Sequence, residues 1–551
     1  MIDKADKKRK LILIYAALFA LSAISLLYKI RFGFPIEESV HIFTAVRFLQ
    51  GDVPILHEWH GTQFSYLYLL PAVGLYLRIN GSQEGIVLFC RTVFAVFWII
   101  YSLFIYVRMR KITPVGAAFV SLGMILFVPY ELMSVYYNTL GIAMIMSSSV
   151  IVITAERIKR IQYVLAGIML AIAVTCCPVL AVMYLALTVM VVIELARKKR
   201  EHVQIWVWMT VGIVISFILF CLFLLSRAGV TEYLNGIHHI FEDSEHQVSL
   251  AGKTYSYLLA LCQPVPVILL WISCVLLAAY ARRKDDRKFR LTGLLIVTVL
   301  TAVFVMTFVA VGLSLSVICI PVGIGLYCRI CFPDKTNKTL FNYIWLPGFI
   351  YSLCINVTSN LGLGSINSAL CISTGASIMM LACSITPADI GVSVKKKAYI
   401  CLILSATVFY GVLIYNRTSY VFGETSSAVL DTYVDAGSAR GLIVSKYSDN
   451  SYREYRNDFS EIKDNPDIDR VIALSNEQWL YLEMGKRLGA YTPWLHIYTP
   501  EMLTIFYNEY PQMKPDAVYI DKYYTSYSFF FEDMGYVSHR SPKGGLILYH
   551  E

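Results

Sequence analysis

Charge is scarce in this chain. Of its 551 residues only 15% are Asp, Glu, Lys or Arg, against 57% hydrophobic, and the mean hydropathy is +0.60. A soluble globular protein of this length is excluded, and so is a disordered one, which needs much charge and little apolar surface. Charge is rarer still within the long apolar runs, where Glu194 lies near one end and Arg91 near another. Ion and proton pathways use mid-membrane ionisable groups, and transporters show broken helices in corresponding halves; neither pattern is evident. Cysteine is absent from the C-terminal stretch, all 13 lying at or before Cys401. A disulfide framework is therefore not expected, and the cysteines read as small core residues. No Gly-rich nucleotide fingerprint follows a strand-like run. There is no internal repeat, no low-complexity segment and no cytoplasmic loop long enough for a sensor's output domain.

The chain is instead rich in apolar runs of about 18 residues or more, each long enough to cross a bilayer as a helix. They lie near 11–30, 86–107, 114–130, 138–155, 161–177, 179–196, 204–226, 255–280, 291–311, 313–331, 340–357, 366–385 and 398–416, about thirteen in all. Basic clusters mark every second connection: Lys7 to Lys10, Arg108 to Lys111, Arg157 to Arg160, Arg197 to Arg200, Arg282 to Arg290, Lys335 to Lys338 and Lys395 to Lys397. Lys and Arg stay cytoplasmic, so the N-terminus is expected inside and, after an odd number of spans, the C-terminus outside. From Arg417 onward there are 13 basic and 19 acidic residues, and before it 34 and 19, so the overall +9 is a topology signal and nucleic acid is not an expected partner. The first run is longer than a usual signal-peptide core and reads as a retained anchor.

Three zones follow. Residues 1–110 hold the first span, a long outside loop and the second span; residues 111–416 are a polytopic bundle; residues 417–551 are a small extracytoplasmic α/β domain. In that domain GLIVS (441–445), RVIAL (470–474), AVYI (517–520) and GLILYH (545–550) read as strands. REYRNDFSEI, QWLYLEMGKRLG and PEMLTIFYNEY read as helices. In the first loop Val40, Phe43, Val46 and Leu49 recur every three residues, which suits a helix lying in the membrane interface. The later QFSYLYLLPAVGLYLRI stretch reads as a second interfacial or a re-entrant helix.

Ionisable residues gather on the outer face, and the first loop holds the densest group: Glu37, Glu38, His41, Arg47, Asp52, His57, Glu58 and His60. Farther along, HHIFEDSEH places His238, Glu242 and His246 at i, i+4 and i+8, a spacing that metal ligands use. No HExxH motif accompanies it and an exposed amphipathic helix explains it as well, so no metal or other cofactor is expected. TSNLGLGSINSAL (358–370) joins two late spans; its Gly and Ser residues suit a lipid-phosphate groove or a plain tight turn. Trp479, Trp494 and the tail tyrosines suit either a domain core or sugar stacking.

Glu37-Glu38-Ser39, Ala45, Gly51-Asp52-Val53-Pro54, Glu58 and Pro71, with Arg91 opening the second span, resemble the GT-C superfamily of membrane glycosyltransferases, akin to protein mannosyltransferases and aminoarabinose transferases. The motif covers about 60 residues, and Glu37 stands where the family usually has Asp. The resemblance implies a polytopic α-helical, GT-C-like fold and inverting transfer of a sugar from a polyprenyl-phosphate donor to an extracytoplasmic glycan, lipid or protein acceptor, in a bacterial plasma membrane. It makes Glu37 the general base, with Glu38 and Glu58 supporting it. Arg91, Arg227, His238, His239 and Lys253 become candidates for the leaving phosphate, and His60 and Gln63 for positioning the acceptor. A lipid-linked glycan polymerase or ligase, or a flippase or other transporter of the cell envelope, is the competing reading.

Overall fold

The computed structural model describes the chain apart from residues 1, 35, 157, 201, 242–250, 253, 256–264, 285, 358–362, 386–391, 425 and 551. Among the described residues eleven helices are long and apolar enough to cross a membrane, so the chain is an integral membrane protein. Two further expected spans differ in form. Tyr137–Ile153 has 17 residues, at the short end of what crosses a bilayer. The 340–357 run is built from Lys335–Leu340, a π-helical turn Phe341–Trp345 and Leu346–Val357. Side chains such as Leu21, Ile24, Leu185, Phe217 and Leu222 are exposed along the helices, the surface that lipid would cover. Where Lys159–Cys176 crosses Val203–Leu225, a Cβ on Gly167 would lie 2.1 Å from Met209 O and one on Gly212 2.1 Å from Val164 O. Only glycine permits that approach.

The connections sort to two ends. At one end Arg108 reaches Gln162, Lys111 reaches Glu156, and Thr113, Arg287, Arg290, Asp334 and Ser384 border one cavity. The C-terminal domain sits on the other. There helix α1 (Ile2–Lys29) ends, and helices α2 (Ile36–Leu49) and α3 (Leu70–Asn80) lie before helix α4 (Ile86–Met109) re-enters the bundle. With 11 residues α3 is too short to cross, so the QFSYLYLLPAVGLYLRI stretch stays at that end.

The expected interfacial helix exists as α2, but its position differs. Residues 38–48 are buried on every face, polar ones included. The C-terminal domain covers α2 on more than one side: Phe43, on the apolar face, stacks on Tyr481 at 4.9 Å, and Trp494 stands edge-on to His41 at 6.4 Å.

That domain is a five-stranded mixed sheet in the order β4-β3-β5-β7-β6, with β3 (Arg470–Leu474), β4 (Arg487–Leu488) and β5 (Ala517–Ile520) parallel. Strands β6 (Tyr536–Arg540) and β7 (Leu546–His550) complete it antiparallel. The short pair β1 (Thr432–Tyr433) and β2 (Ile443–Val444) lies outside the sheet, and Ile443 N donates to Arg31 O at 2.7 Å, tying the domain to the end of α1.

Candidate active site

Two adjacent carboxylates open α2, at the end where a helix dipole favours negative charge, and the fold treats them differently. Glu38 is completely buried against α4. Arg91 Nε donates to its two oxygens at 3.0 and 2.9 Å, and Nη2 to one of them at 2.7 Å. The rest of the guanidinium bonds the carbonyls of Ile30 and Phe32 at 2.8 and 3.2 Å and of Gly33 at 3.0 Å. A guanidinium has five N–H groups, and Arg91 commits all of them to protein oxygens.

Glu37 is half-buried and points elsewhere. Its carboxylate has no salt bridge among the described residues. Burial raises its pKa above the usual value, opposed by its own backbone N–H and by nearby His496. Its field reaches Tyr136 and Tyr420, whose phenols are also raised, chiefly by burial. Beside it His41 is sandwiched between Tyr66 at 5.2 Å and Tyr136 at 5.0 Å. Burial keeps that imidazole neutral, pushing its pKa down to about 3, and Nδ1 has no hydrogen-bond partner.

Glu58 belongs to a second network. Arg47 binds Asp52 through Nε at 2.8 Å and Glu58 through Nη1, and its Nη2 reaches His57 O at 2.6 Å and Ala490 O at 3.3 Å. Arg47, Asp52 and Glu58 are all buried. Burial pushes the Glu58 carboxyl up to about 7 against the opposing pull of Arg47. Gln63 closes the loop, accepting from Ile55 N at 2.6 Å and donating to Glu58 O at 2.7 Å and His60 O at 3.2 Å. That bond steadies Ile55 at φ 73°, a left-handed conformation that β-branched residues rarely adopt. His60 bonds Thr62 Oγ1 through Nδ1 at 2.7 Å and stacks on Trp494 at 5.7 Å.

The remaining candidates scatter. His239 is buried against Trp59, ring centroids 3.9 Å apart, with Nε2 3.0 Å from Glu509. His238 is exposed beside it. Arg227 is exposed, donates to Phe48 O at 3.1 Å and lies over the Phe223 ring. Lys253 lies outside the described residues, as do Glu242 and His246 of the metal reading. Among the described residues no group of three or more His, Cys, Asp or Glu is placed to hold a metal ion.

The structure adds groups that the sequence did not single out. Arg417, at the end of the last span, is buried and pairs through Nε with Glu131 Oε2 at 2.9 Å. Lys29, the last residue of α1, is buried and donates to Tyr420 O. Basic residues at span ends are ordinary anchors; burial, which comes from tertiary packing, is what sets these two apart.

No family model matches the sequence, and no curated protein does either. Among solved structures the chain is similar to the archaeal oligosaccharyltransferase AglB from Archaeoglobus fulgidus in complex with an inhibitory peptide and a dolichol-phosphate, with a TM-score of 0.48, 10% identity, and 98% of this chain and 74% of that one covered. The Archaeoglobus fulgidus oligosaccharyltransferase complexed with Zn and sulfate gives a TM-score of 0.48 at 11% identity, covering 97% and 73%. The same enzyme tethered to an acceptor peptide containing the NVT sequon gives 0.47 at 10%, covering 98% and 74%. Likeness of this degree assigns neither the activity nor the ligands of those proteins to this chain.

Proposed function

We propose that the chain is a membrane glycosyltransferase of GT-C type, moving a sugar from a polyprenyl-phosphate donor to an acceptor hydroxyl with inversion, and that Glu37 is its general base. One observation carries this reading. Of the three carboxylates expected in the site, Glu38 and Glu58 are tied to buried arginines, while Glu37 has no salt bridge among the described residues where the bundle meets the C-terminal domain. A base needs a free carboxylate with a raised pKa at the edge of the apolar medium.

The acceptor attacks the anomeric carbon, the bond from that carbon to the phosphate oxygen breaks, polyprenyl phosphate departs, and the acceptor's proton passes to Glu37. Glu38 is then a positioning residue, fixing the start of α2 through Arg91. Glu58 shapes the loop. The departing phosphate needs a cation, and Lys29 joins the exposed Arg227 and His238 in that role, one of its three donors being used by Tyr420 O. The basic ends of the bundle opposite the C-terminal domain support a cytoplasmic N-terminus and an extracytoplasmic site. Transfer from polyprenyl-phosphate sugars, measured on the reconstituted full chain, tests the assignment. Glu37→Gln is expected to slow it by about 10²- to 10⁴-fold, and full activity in that variant would remove Glu37 as the base.

A further inference from the structure

At the end of the bundle opposite the C-terminal domain lies a cavity of about 940 Å³, bordered by Thr113, Arg287, Arg290, Asp334, Thr336 and Ser384 among others. Its place is set by where the spans stop. Pro114 opens one apolar helix, Arg287 opens another, Cys331 closes a third, and Ser384 lies one residue from the close of a fourth. All four of these residues border the cavity. Span ends lie where hydrocarbon gives way to headgroups and water, so the cavity sits at the depth of lipid phosphates.

Its walls are held by packing. Asn337 Nδ2 donates to Phe332 O at 2.9 Å and to Ser384 Oγ at 3.2 Å, which joins the turn after Cys331 to the end of the 363–385 helix. Tyr327 Oη donates to Arg290 O at 2.8 Å, and a Cβ on Gly293 would lie 2.2 Å from that hydroxyl, so only glycine lets the 287–310 helix pack this closely. Among the described residues the lining carries two positive charges and one negative. The negative one is committed to the backbone: Asp334 Oδ1 accepts from Thr336 N at 2.9 Å and Asn337 N at 3.1 Å, and Oδ2 accepts from Asn337 Nδ2 at 2.8 Å. Asp334 thereby caps the short 335–340 helix. Arg287 and Arg290 stand three residues apart, on one side of their helix. Both are half-buried, whereas Arg282, Arg283, Lys284 and Lys288 around them are exposed. Exposed basic residues at a span end are ordinary anchors; two guanidiniums drawn into a cavity at that level are not accounted for by anchoring. A guanidinium presents five donors in a planar fork that matches phosphate oxygens, and basic pockets between helix ends at a membrane surface suit phospholipid headgroups.

We propose that this cavity is a phosphate site, in which Arg287 and Arg290 donate to the oxygens of a phosphate ester: the headgroup of an anionic lipid such as phosphatidylglycerol, or a soluble phosphate compound. The site lies at the opposite end of the bundle from Glu37 and does not rest on the glycosyltransferase reading. A ligand here touches the ends of four spans at once, so it ties them together and stabilises the fold by mass action.

The test measures binding to the full chain in neutral detergent, with the unfolding midpoint as a second readout. The probes are dioctanoyl phosphatidylglycerol, dioctanoylglycerol (which lacks the phosphate) and inorganic phosphate against chloride at equal ionic strength. With a lipid source, the wild type is expected to bind the phosphatidylglycerol about tenfold or more tighter than dioctanoylglycerol. With a soluble source, inorganic phosphate is expected to raise the midpoint and chloride to leave it. Arg287→Gln with Arg290→Gln is expected to abolish whichever preference is found, and Arg282→Gln with Arg283→Gln to preserve it. Arg287→Lys with Arg290→Lys keeps the charges without the forks, and decides the matter where the glutamine variant fails to fold: a weakened preference supports the site and a full one overturns it. No preference for phosphate in either form overturns the site. So does a preference that survives Arg287→Gln with Arg290→Gln, or one that falls equally in the Arg282, Arg283 variant, which is the mark of general surface charge. None of these outcomes bears on Glu37.

Discussion

Glu38 and Arg91 are locked together across two helices, three hydrogen bonds of 2.7 to 3.0 Å joining a fully buried carboxylate to a guanidinium that also holds the carbonyls of Ile30, Phe32 and Gly33 just after α1. Its neighbour Glu37, one residue earlier, escapes this lock. A helix turns about 100° per residue, so adjacent side chains must diverge, and the packing of α4 against α2 decides which of the two is captured.

The lock makes a stability prediction. Removing one partner of a buried pair leaves an uncompensated charge and costs about 3–5 kcal/mol, whereas replacing both by apolar groups is often neutral. Glu38→Ala is expected to lower the thermal unfolding midpoint strongly, and the double variant Glu38→Leu, Arg91→Met to recover most of the loss. A double variant as unstable as the summed single ones would show that Arg91 acts through the Ile30, Phe32 and Gly33 carbonyls instead.

Glu37 should behave in the opposite way. Glu37→Gln removes no salt bridge, so its unfolding midpoint should stay within a degree or two of wild type. Loss of a general base should still reduce kcat by about 10²- to 10⁴-fold. Because the base works deprotonated and burial raises its pKa, kcat/KM should fall on the acid side along a limb centred above the ordinary Glu value of 4.5. A limb at or below that value would contradict the burial that the structure assigns.

Sequence reading reached most of the spans and the strands at 470–474, 517–520 and 546–550, but not the one at 536–540, because each of those it reached shows in local pattern. It missed what depends on partners distant in the chain. The three-residue spacing of Val40, Phe43 and Val46 identifies one apolar face of α2, but nothing nearby reveals that Glu38 and His41 on its other faces are covered as well. The strand at 487–488 was hidden within QWLYLEMGKRLG, where Gly485 takes φ 66° and ends the helix early. Arg417 looked like the first residue of a soluble tail, since the Glu131 it meets lies 286 positions away.

The first loop is fastened to the C-terminal domain through an aromatic stack, and this gives a third prediction. Trp59 lies between His239 at 3.9 Å and Tyr491 at 4.8 Å, its backbone N–H donates to Tyr491 O at 2.9 Å, and His239 is fixed by Glu509. Trp59→Ala should cost about 3–5 kcal/mol, as buried Trp truncations do. Hydrogen exchange should quicken in residues 237–240 and 491–498 together. If only the first loop loosens, the stack does not couple the segments.

The Arg47 network makes the last prediction, concerning pH. Burial raises the Glu58 carboxyl to about 7 in spite of the Arg47 guanidinium, which it shares with Asp52. A carboxyl whose folded pKa is raised stabilises the fold when protonated. Its contribution is complete below the unfolded value of about 4.5 and is lost as pH rises through the folded value. Stability should therefore decline between about pH 4.5 and 7, by no more than about 1.4 kcal/mol per pH unit from this group. Glu58→Gln keeps a neutral group of the same shape beside Arg47, so unfolding of this variant, followed by denaturant titration across that range, should be flatter with pH. It should also be more stable than wild type at pH 8. An unchanged slope would mean that Arg47 outweighs burial and keeps Glu58 ionised throughout.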